Sequence, residues 1–249
     1  MPMTPSDDQD PGAASAPDDR AVPSARPAAV LFDCDGVLID TEVTSAHVLA
    51  EQLTAAGVPT DADELREVIK GTSLGFLAEE SARRLGVQAV PGDWMDRFIE
   101  TRLVEYRRGV EQLTGAAEAV TAVKAAGIPI AIVSQGSRQK MSVTLPASGM
   151  DRVIGDAPIF SGDDVERGKP NPDLYLLAAS RLGVDPADCV VVEDSPPGVT
   201  GAHAAGMRVL GYAVDSDPER MRAAGAEVFF DLHEVAWRVG IASQPPATA

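Results

Sequence analysis

Four short apolar runs, at residues 28–32, 128–133, 189–192 and 208–212, most constrain what this chain can fold into. Each is too short for an independent helix and is bounded by polar or turn residues, the pattern of a strand buried on both faces. Weaker runs of the same kind lie at 158–161 and 228–230. Between them stand Ala- and Leu-rich stretches with helical spacing, at 114–126 before Gly127, 172–182 before Gly183 and 197–205 before Gly206. Glycine is favoured just past a last helical turn, where the backbone turns left-handed without a Cβ penalty. Strand then helix, repeated, predicts an α/β fold with a doubly wound, Rossmann-like sheet of parallel strands.

The interval 42–109 breaks that rhythm, with helical patterns and no strand. Residues 41–56 read as a helix capped by Thr41 and closed by Gly57. Asp61 and Glu64 have capping-box spacing ahead of Leu65, Val68 and Ile69. Trp94, Phe98, Leu103 and Tyr106 mark another helix within 92–108. The expected organisation is therefore an α/β core from 27–41 and 110–249, with an all-helical insert at 42–109. Residues 1–26 are rich in Asp, Pro, Ala and Ser without hydrophobic periodicity, and read as a disordered acidic tail. The tail has neither the basic start and apolar middle of a secretory peptide nor the acid-poor composition of a presequence, so the cytoplasm is the expected compartment.

In such a sheet, ligands bind beyond the carboxyl ends of the strands. Those ends are polar here: Asp33 and Asp35 after the first run, Ser134 after the second, and Glu193 and Asp194 after the run at 189–192. Two carboxylates one residue apart repel each other and raise one pKa, unless a cation sits between them or one carries a proton. Both conditions suit phosphoryl transfer, where an anionic ester needs charge neutralisation, a nucleophile and a proton donor. A carboxylate is a competent nucleophile, and magnesium is satisfied by two or three protein oxygens plus water. Asp33, Asp35 and Asp194 meet these needs. Each piece also has a plainer reading: Asp-x-Asp-Gly fits a calcium loop or turn, Ser134 a turn before Gly136, and Glu193-Asp194-Ser195 a helix start. Asn171-Pro172-Asp173 reads as a helix start capped by Asn171. That leaves Lys169 unexplained in a chain with only four lysines, Lys70, Lys124, Lys140 and Lys169.

Bulk properties narrow the partners. A net charge of −17 argues against nucleic acid and anionic membranes. No apolar run approaches the roughly 20 residues of a membrane span. His47, His203 and His233 lack metal-ligand spacing, so zinc is not expected. Cys34 and Cys189 read as small buried side chains.

Four motifs, taken in order, resemble those of the haloacid dehalogenase-like (HAD) hydrolases. They are Asp33-Cys34-Asp35-Gly36-Val37-Leu38-Ile39-Asp40-Thr41-Glu42, Ser134 after its strand, Lys169 in Gly168-Lys169-Pro170-Asn171-Pro172-Asp173, and Val192-Glu193-Asp194-Ser195-Pro196-Pro197-Gly198. The resemblance covers nearly everything after the tail. It is nearest to the branch of β-phosphoglucomutases and sugar-phosphate phosphatases, whose helical cap matches the insert. It implies that Asp33 attacks phosphorus and that Asp35 protonates the leaving oxygen, then activates water. It places Ser134, Gln135 and Lys169 on the phosphate. It gives Mg2+ to the Asp33 side chain, the Asp35 carbonyl and Asp194, with Glu193 as a further candidate. Glu42 and Lys70 are candidates for facing the cleft, each with an equal structural reading, and Asp40 is expected to anchor the hinge turn.

The activity implied is a magnesium-dependent phosphatase acting through an aspartyl-phosphate. Its partner would be a small phosphorylated metabolite, such as a sugar phosphate, sugar-acid phosphate or phosphoglycolate, and the protein a monomer or small homo-oligomer. Dehalogenases of the family lack the second aspartate, so Asp35 speaks for phosphoryl chemistry. A sugar phosphomutase is the alternative. That reading is weakened because Ser45 stands where the mutase carries histidine, twelve positions after the nucleophile, and His47 is offset by two. A non-catalytic phospho-ligand-binding protein is the alternative of another class.

Overall fold

The structure, a computed structural model, describes residues 26–69 and 74–243. The expected acidic tail, apart from residue 26, and the candidate Lys70 lie outside the described residues. Strand β1 (Ala29–Phe32) leads through a tight turn to β2 (Ile39–Asp40) and then to four helices, α1 (Glu42–Ala55), α2 (Ala62–Ile69), α3 (Leu74–Leu85) and α4 (Trp94–Tyr106). Next come β3 (Glu111–Gln112), α5 (Ala116–Ala125), β4 (Ile130–Ser134), α6 (Arg138–Ser148), α7 (Met150–Ile154), β5 (Ile159–Ser161) and α8 (Asp173–Leu182). The chain closes with β6 (Cys189–Glu193), α9 (Pro196–Ala204), β7 (Arg208–Tyr212), α10 (Pro218–Ala223), β8 (Glu227–Phe229) and α11 (Val235–Arg238).

Six strands form one sheet in the order β5-β4-β1-β6-β7-β8, with every neighbouring pair parallel. Period-two alternation sorts their side chains between two cores. Val30, Phe32, Ile130, Ile132, Val190 and Val192 pack with residues of α5 and α6 on one face. Leu31, Ala131, Val133 and Val191 pack with residues of α8 and α9 on the other. Burial on both faces is why these strands read as continuous apolar runs. The chain leaves β1 for β4 and β5 on one side, then crosses back to β6, β7 and β8 on the other. The strand order therefore reverses at β1, where doubly wound sheets bind ligands beyond the strand ends.

The helices α1 to α4 lie between β2 and β3, which pair antiparallel as a two-stranded stem. They bury a separate cluster that includes Leu49, Leu53, Leu65, Leu77, Trp94 and Phe98. Burying a side chain of this size stabilises by roughly 1.5–3 kcal/mol. Asp40 holds the hinge as expected: its Oδ1 accepts from the Glu42 amide at 2.8 Å, and its Oδ2 from Arg66 of α2 at 3.1 Å.

Local details differ from the sequence expectation. Thr41 precedes α1 but makes no capping bond; its hydroxyl donates to Asp35 instead. Asn171 does not cap α8; its amide donates to the Gly168 carbonyl at 3.0 Å, and Pro172 takes the cap position. Asp61 makes half of a capping box, accepting from the amides of Asp63 and Glu64. Helix α6 was not expected. Its β-branched residues and an internal Pro146 mask the helical period, while Ser137 caps it by accepting from the Lys140 amide.

Candidate active site

The carboxyl ends of β1, β4 and β6 lie side by side, and the turn after β1 folds over them. Gly36 turns with φ of +81°, a conformation that side chains with a Cβ rarely adopt. A Cβ there would also lie 1.9 Å from a carboxylate oxygen of Asp194, so the glycine lets the β1 turn close on the β6 turn. Asp33 is buried at the end of β1. Lys169 reaches across the sheet end to it, donating at 2.6 Å. The same ammonium donates to the Val133 carbonyl at 3.1 Å and pairs with Glu193.

Glu193 is fully buried and its carboxylate is saturated. One oxygen takes Lys169 and the Tyr175 hydroxyl at 2.8 Å. The other accepts from the Asp194 amide, the Ser195 amide and the Ser195 hydroxyl, at 3.0, 3.1 and 3.0 Å. A Cβ on Gly198 would lie about 2.0 Å from this carboxylate, so the start of α9 has room for Glu193 only because residue 198 is glycine. Glu193 thus orients Lys169 and the β6 turn.

Asp194 is the opposite case. Among the described residues its carboxylate accepts no hydrogen bond, although one of its oxygens lies within 4.8 Å of one oxygen each of Asp33 and Glu193. Burial, and then the charges of Glu193, Asp33 and Glu42, push its carboxyl well above the usual carboxylate range. Burial also pushes Asp33 up, to about 7; Lys169 opposes this while Glu193 and Asp35 add to it. One ammonium therefore serves three clustered carboxylates, and the unmatched oxygens are hard donors of the kind that magnesium takes. The donor set fits a divalent cation held by Asp33 and Asp194.

Asp35 faces the other way. Its Oδ1 accepts from the Thr41 hydroxyl at 2.7 Å and from Lys140 at 2.8 Å, and Lys140 also donates to Thr41 at 3.0 Å. Burial raises the Asp35 pKa, but Lys140, Thr41 and Arg102 together outweigh it and hold the carboxyl below its ordinary value. Ser134 ends β4 with its hydroxyl accepting from the Gly136 amide at 3.0 Å, the turn role that the spacing had left open. Gln135 lines the cleft and also makes a structural contact through its side chain. Its carbonyl oxygen accepts from the Lys169 amide at 2.8 Å, and it packs so closely that a Cβ on Gly168 would lie 2.3 Å from it. The side chain clamps the Lys169 loop. Cys34 and Cys189 are buried and unpaired, as expected.

These groups line a cleft of about 540 Å³ between the sheet ends and the helices α1 to α4, into which Glu42 and Ser45 also project. Lys140 and Arg102 belong to it and were not anticipated. The one available signal for Lys140 was lysine scarcity combined with a place six residues past Ser134. No helix among the described residues is long and apolar enough to cross a membrane.

Comparisons with known proteins identify the family. The family model "haloacid dehalogenase-like hydrolase" matches residues 27–206. The chain is 33% identical over 225 residues to Protein SUPPRESSOR OF QUENCHING 1, chloroplastic, of Arabidopsis thaliana, and spans about a fifth (21%) of its length. It is 30% identical over 189 residues to 6-phosphogluconate phosphatase of Escherichia coli, covering 75% of this chain and 83% of that one. Hexitol phosphatase A of the same organism is 31% identical over 230 residues, with coverage of 86% and 94%. A HAD family hydrolase from Deinococcus radiodurans R1, solved with bound phosphate and sodium, superposes with a TM-score of 0.74 at 30% identity, over 88% of this chain and 99% of that one. The chain belongs to the haloacid dehalogenase-like hydrolases.

Proposed function

We propose that this protein is a magnesium-dependent phosphatase that hydrolyses a small phosphorylated metabolite through an aspartyl-phosphate on Asp33. The observation that carries the reading is the Lys169 ammonium set between Asp33 and Glu193, beside the unpartnered carboxylate of Asp194. Relatives named 6-phosphogluconate phosphatase and hexitol phosphatase A support the same class of reaction.

In this reading the Asp33 carboxylate attacks phosphorus in line with the leaving oxygen. A bound divalent cation would supply positive charge to the phosphoryl oxygens and favour the ionised, nucleophilic form of Asp33. Lys169 binds a phosphate oxygen while keeping its contact with Glu193. Ser134 adds a hydroxyl donor at the same end. Asp35 gives a proton to the leaving alkoxide, then takes one from the water that cleaves the aspartyl-phosphate. Thr41 and Lys140 hold Asp35 ionised and to one side; on leaving them for the leaving oxygen it loses the contacts that keep its pKa low and takes from solvent the proton that it donates. The helices at 42–109 act as a cap that shuts bulk water out when it closes on the core 27–41 and 110–249. The net charge of −17 supports free metabolites, rather than nucleic acid or anionic membranes, as its partners, and the cytoplasm remains the expected compartment.

The test is phosphate release from a panel of sugar phosphates, sugar-acid phosphates and phosphoglycolate, with Mg2+ and again with EDTA. Mg2+-dependent release that Asp33→Asn reduces by roughly 10^4-fold or more, the scale of losing a covalent nucleophile, is the expected outcome. Near wild-type turnover in Asp33→Asn would overturn it.

A further inference from the structure

Among the described residues that line the cleft, Arg102 is a cation with no hydrogen-bond acceptor. It comes from α4, its residue is 9% exposed, and its Nε is buried with no acceptor. Among the described residues it donates no hydrogen bond and joins no ion pair. The Phe98 ring lies 5.1 Å from its guanidinium carbon. Burying an N–H donor such as this Nε without an acceptor is costly, and the guanidinium carries further donors beside it. A ring face returns only part of that cost. Such an arrangement survives in a chain with 38 acidic and 21 basic residues, where a carboxylate partner was statistically easy to place.

The other cleft cations are matched. Lys169 is held by Asp33 and Glu193, and Lys140 by Asp35 and Thr41. The cleft that Arg102 lines also carries apolar side chains, Ile69, Leu74 and Leu77. The cleft, at about 540 Å³, falls within the roughly 300–1,000 Å³ of pockets that enclose a whole small ligand, far more than one phosphate requires. A ligand whose phosphate sits at Lys169 therefore extends beneath α4.

We propose that Arg102 receives a second anionic group, a carboxylate or a second phosphate, on the tail of the substrate. The planar guanidinium fork matches either group with two parallel hydrogen bonds. The assignment rests on the phosphatase reading only for which end of the ester reacts. The rival role is that Arg102 offsets the charge of Asp35 through space, which would affect every substrate alike.

The experiment compares esters matched in carbon skeleton and different in tail: glucose 6-phosphate, with a neutral tail; 6-phosphogluconate, with a carboxylate; and fructose 1,6-bisphosphate, with a second phosphate. Phosphate release is measured for the wild-type chain, Arg102→Gln and Arg102→Lys, with circular dichroism confirming that each folds. In the wild type, kcat/KM for at least one anionic-tailed ester should exceed that for the neutral one by roughly 10- to 100-fold, the scale of one charge-assisted pair; which ester wins tells carboxylate from phosphate. In Arg102→Gln that advantage should collapse to within about threefold of unity, mainly through KM, and Arg102→Lys should restore part of it. Equal losses on neutral and anionic tails, or no wild-type preference, would overturn the assignment. If no ester is hydrolysed, the phosphatase reading fails. Calorimetric binding of the same three ligands to wild type and Arg102→Gln then decides the Arg102 role separately, and equal affinities would overturn it.

Discussion

Replacing Lys169 with methionine removes a charge while keeping a long, flexible side chain in the same space. The side chains involved are almost entirely out of water: Lys169 is 5% exposed, Asp33 9% and Glu193 not at all. Deleting one partner of a buried ion pair costs roughly 3–5 kcal/mol, because the remaining charge is left uncompensated. For a chain of this size each kcal/mol moves Tm by about 2–4 °C, so the expected fall is about 6–20 °C at neutral pH. Two further readings isolate the cause. Adding Glu193→Gln removes one stranded charge while leaving an oxygen for the amides of Asp194 and Ser195, so the double variant should recover part of the loss. The pH dependence has a definite sign. Burial has already raised Asp33 to about 7 with Lys169 in place, and loss of the ammonium raises it further. A carboxyl whose folded pKa lies above its unfolded pKa gains a proton on folding, so the variant regains stability as pH falls through the folded value. The Tm deficit should therefore be smaller at about pH 5.5 than at about pH 8. Thermal unfolding by circular dichroism at both pH values reads all three quantities. A deficit of less than about 1 °C, a double variant worse than the single one, or a deficit that grows on acidification would refute the reasoning.

Two glycines offer independent tests of how the site is assembled. Gly36→Ala places a Cβ 1.9 Å from an Asp194 oxygen and forces a left-handed residue that costs about 1–2 kcal/mol; apparent Mg2+ affinity, titrated by activity, should fall by more than the stability loss alone explains. Gly198→Ala drives a methyl into the Glu193 carboxylate; a lowered Tm together with lost turnover is expected, and a variant with wild-type kcat and Tm would show that the start of α9 yields freely. Leu65→Ala, in the core of the helical insert, should lower Tm by an amount corresponding to about 2–5 kcal/mol; unchanged thermal unfolding would mean that this cluster does not contribute to the main transition.

What was readable without coordinates had a common physical basis. Strands buried on both faces must be apolar throughout, so all six appeared as runs within one or two residues of their observed bounds. Acidic residues at strand ends break those runs abruptly, which is why Asp33, Asp35, Glu193 and Asp194 stood out. Helix α6 was hidden because tertiary packing against α4, α7 and β2, rather than propensity, holds its β-branched residues in place. Thr41 and Asn171 were misread as caps because a short polar side chain that can cap a helix can equally bond elsewhere.

The sequence by itself determined the doubly wound α/β class and which polar residues end the strands, because these follow from local periodicity and punctuation. Only the tertiary structure decided which cation serves which carboxylate. Lys169 lies 136 positions from Asp33, and Lys140 lies 105 positions from Asp35. Strand order and register bring these pairs together, and no local pattern encodes them. The same holds for Arg102, whose importance lies in the acceptor it lacks: a missing partner is visible only once every neighbour has been placed.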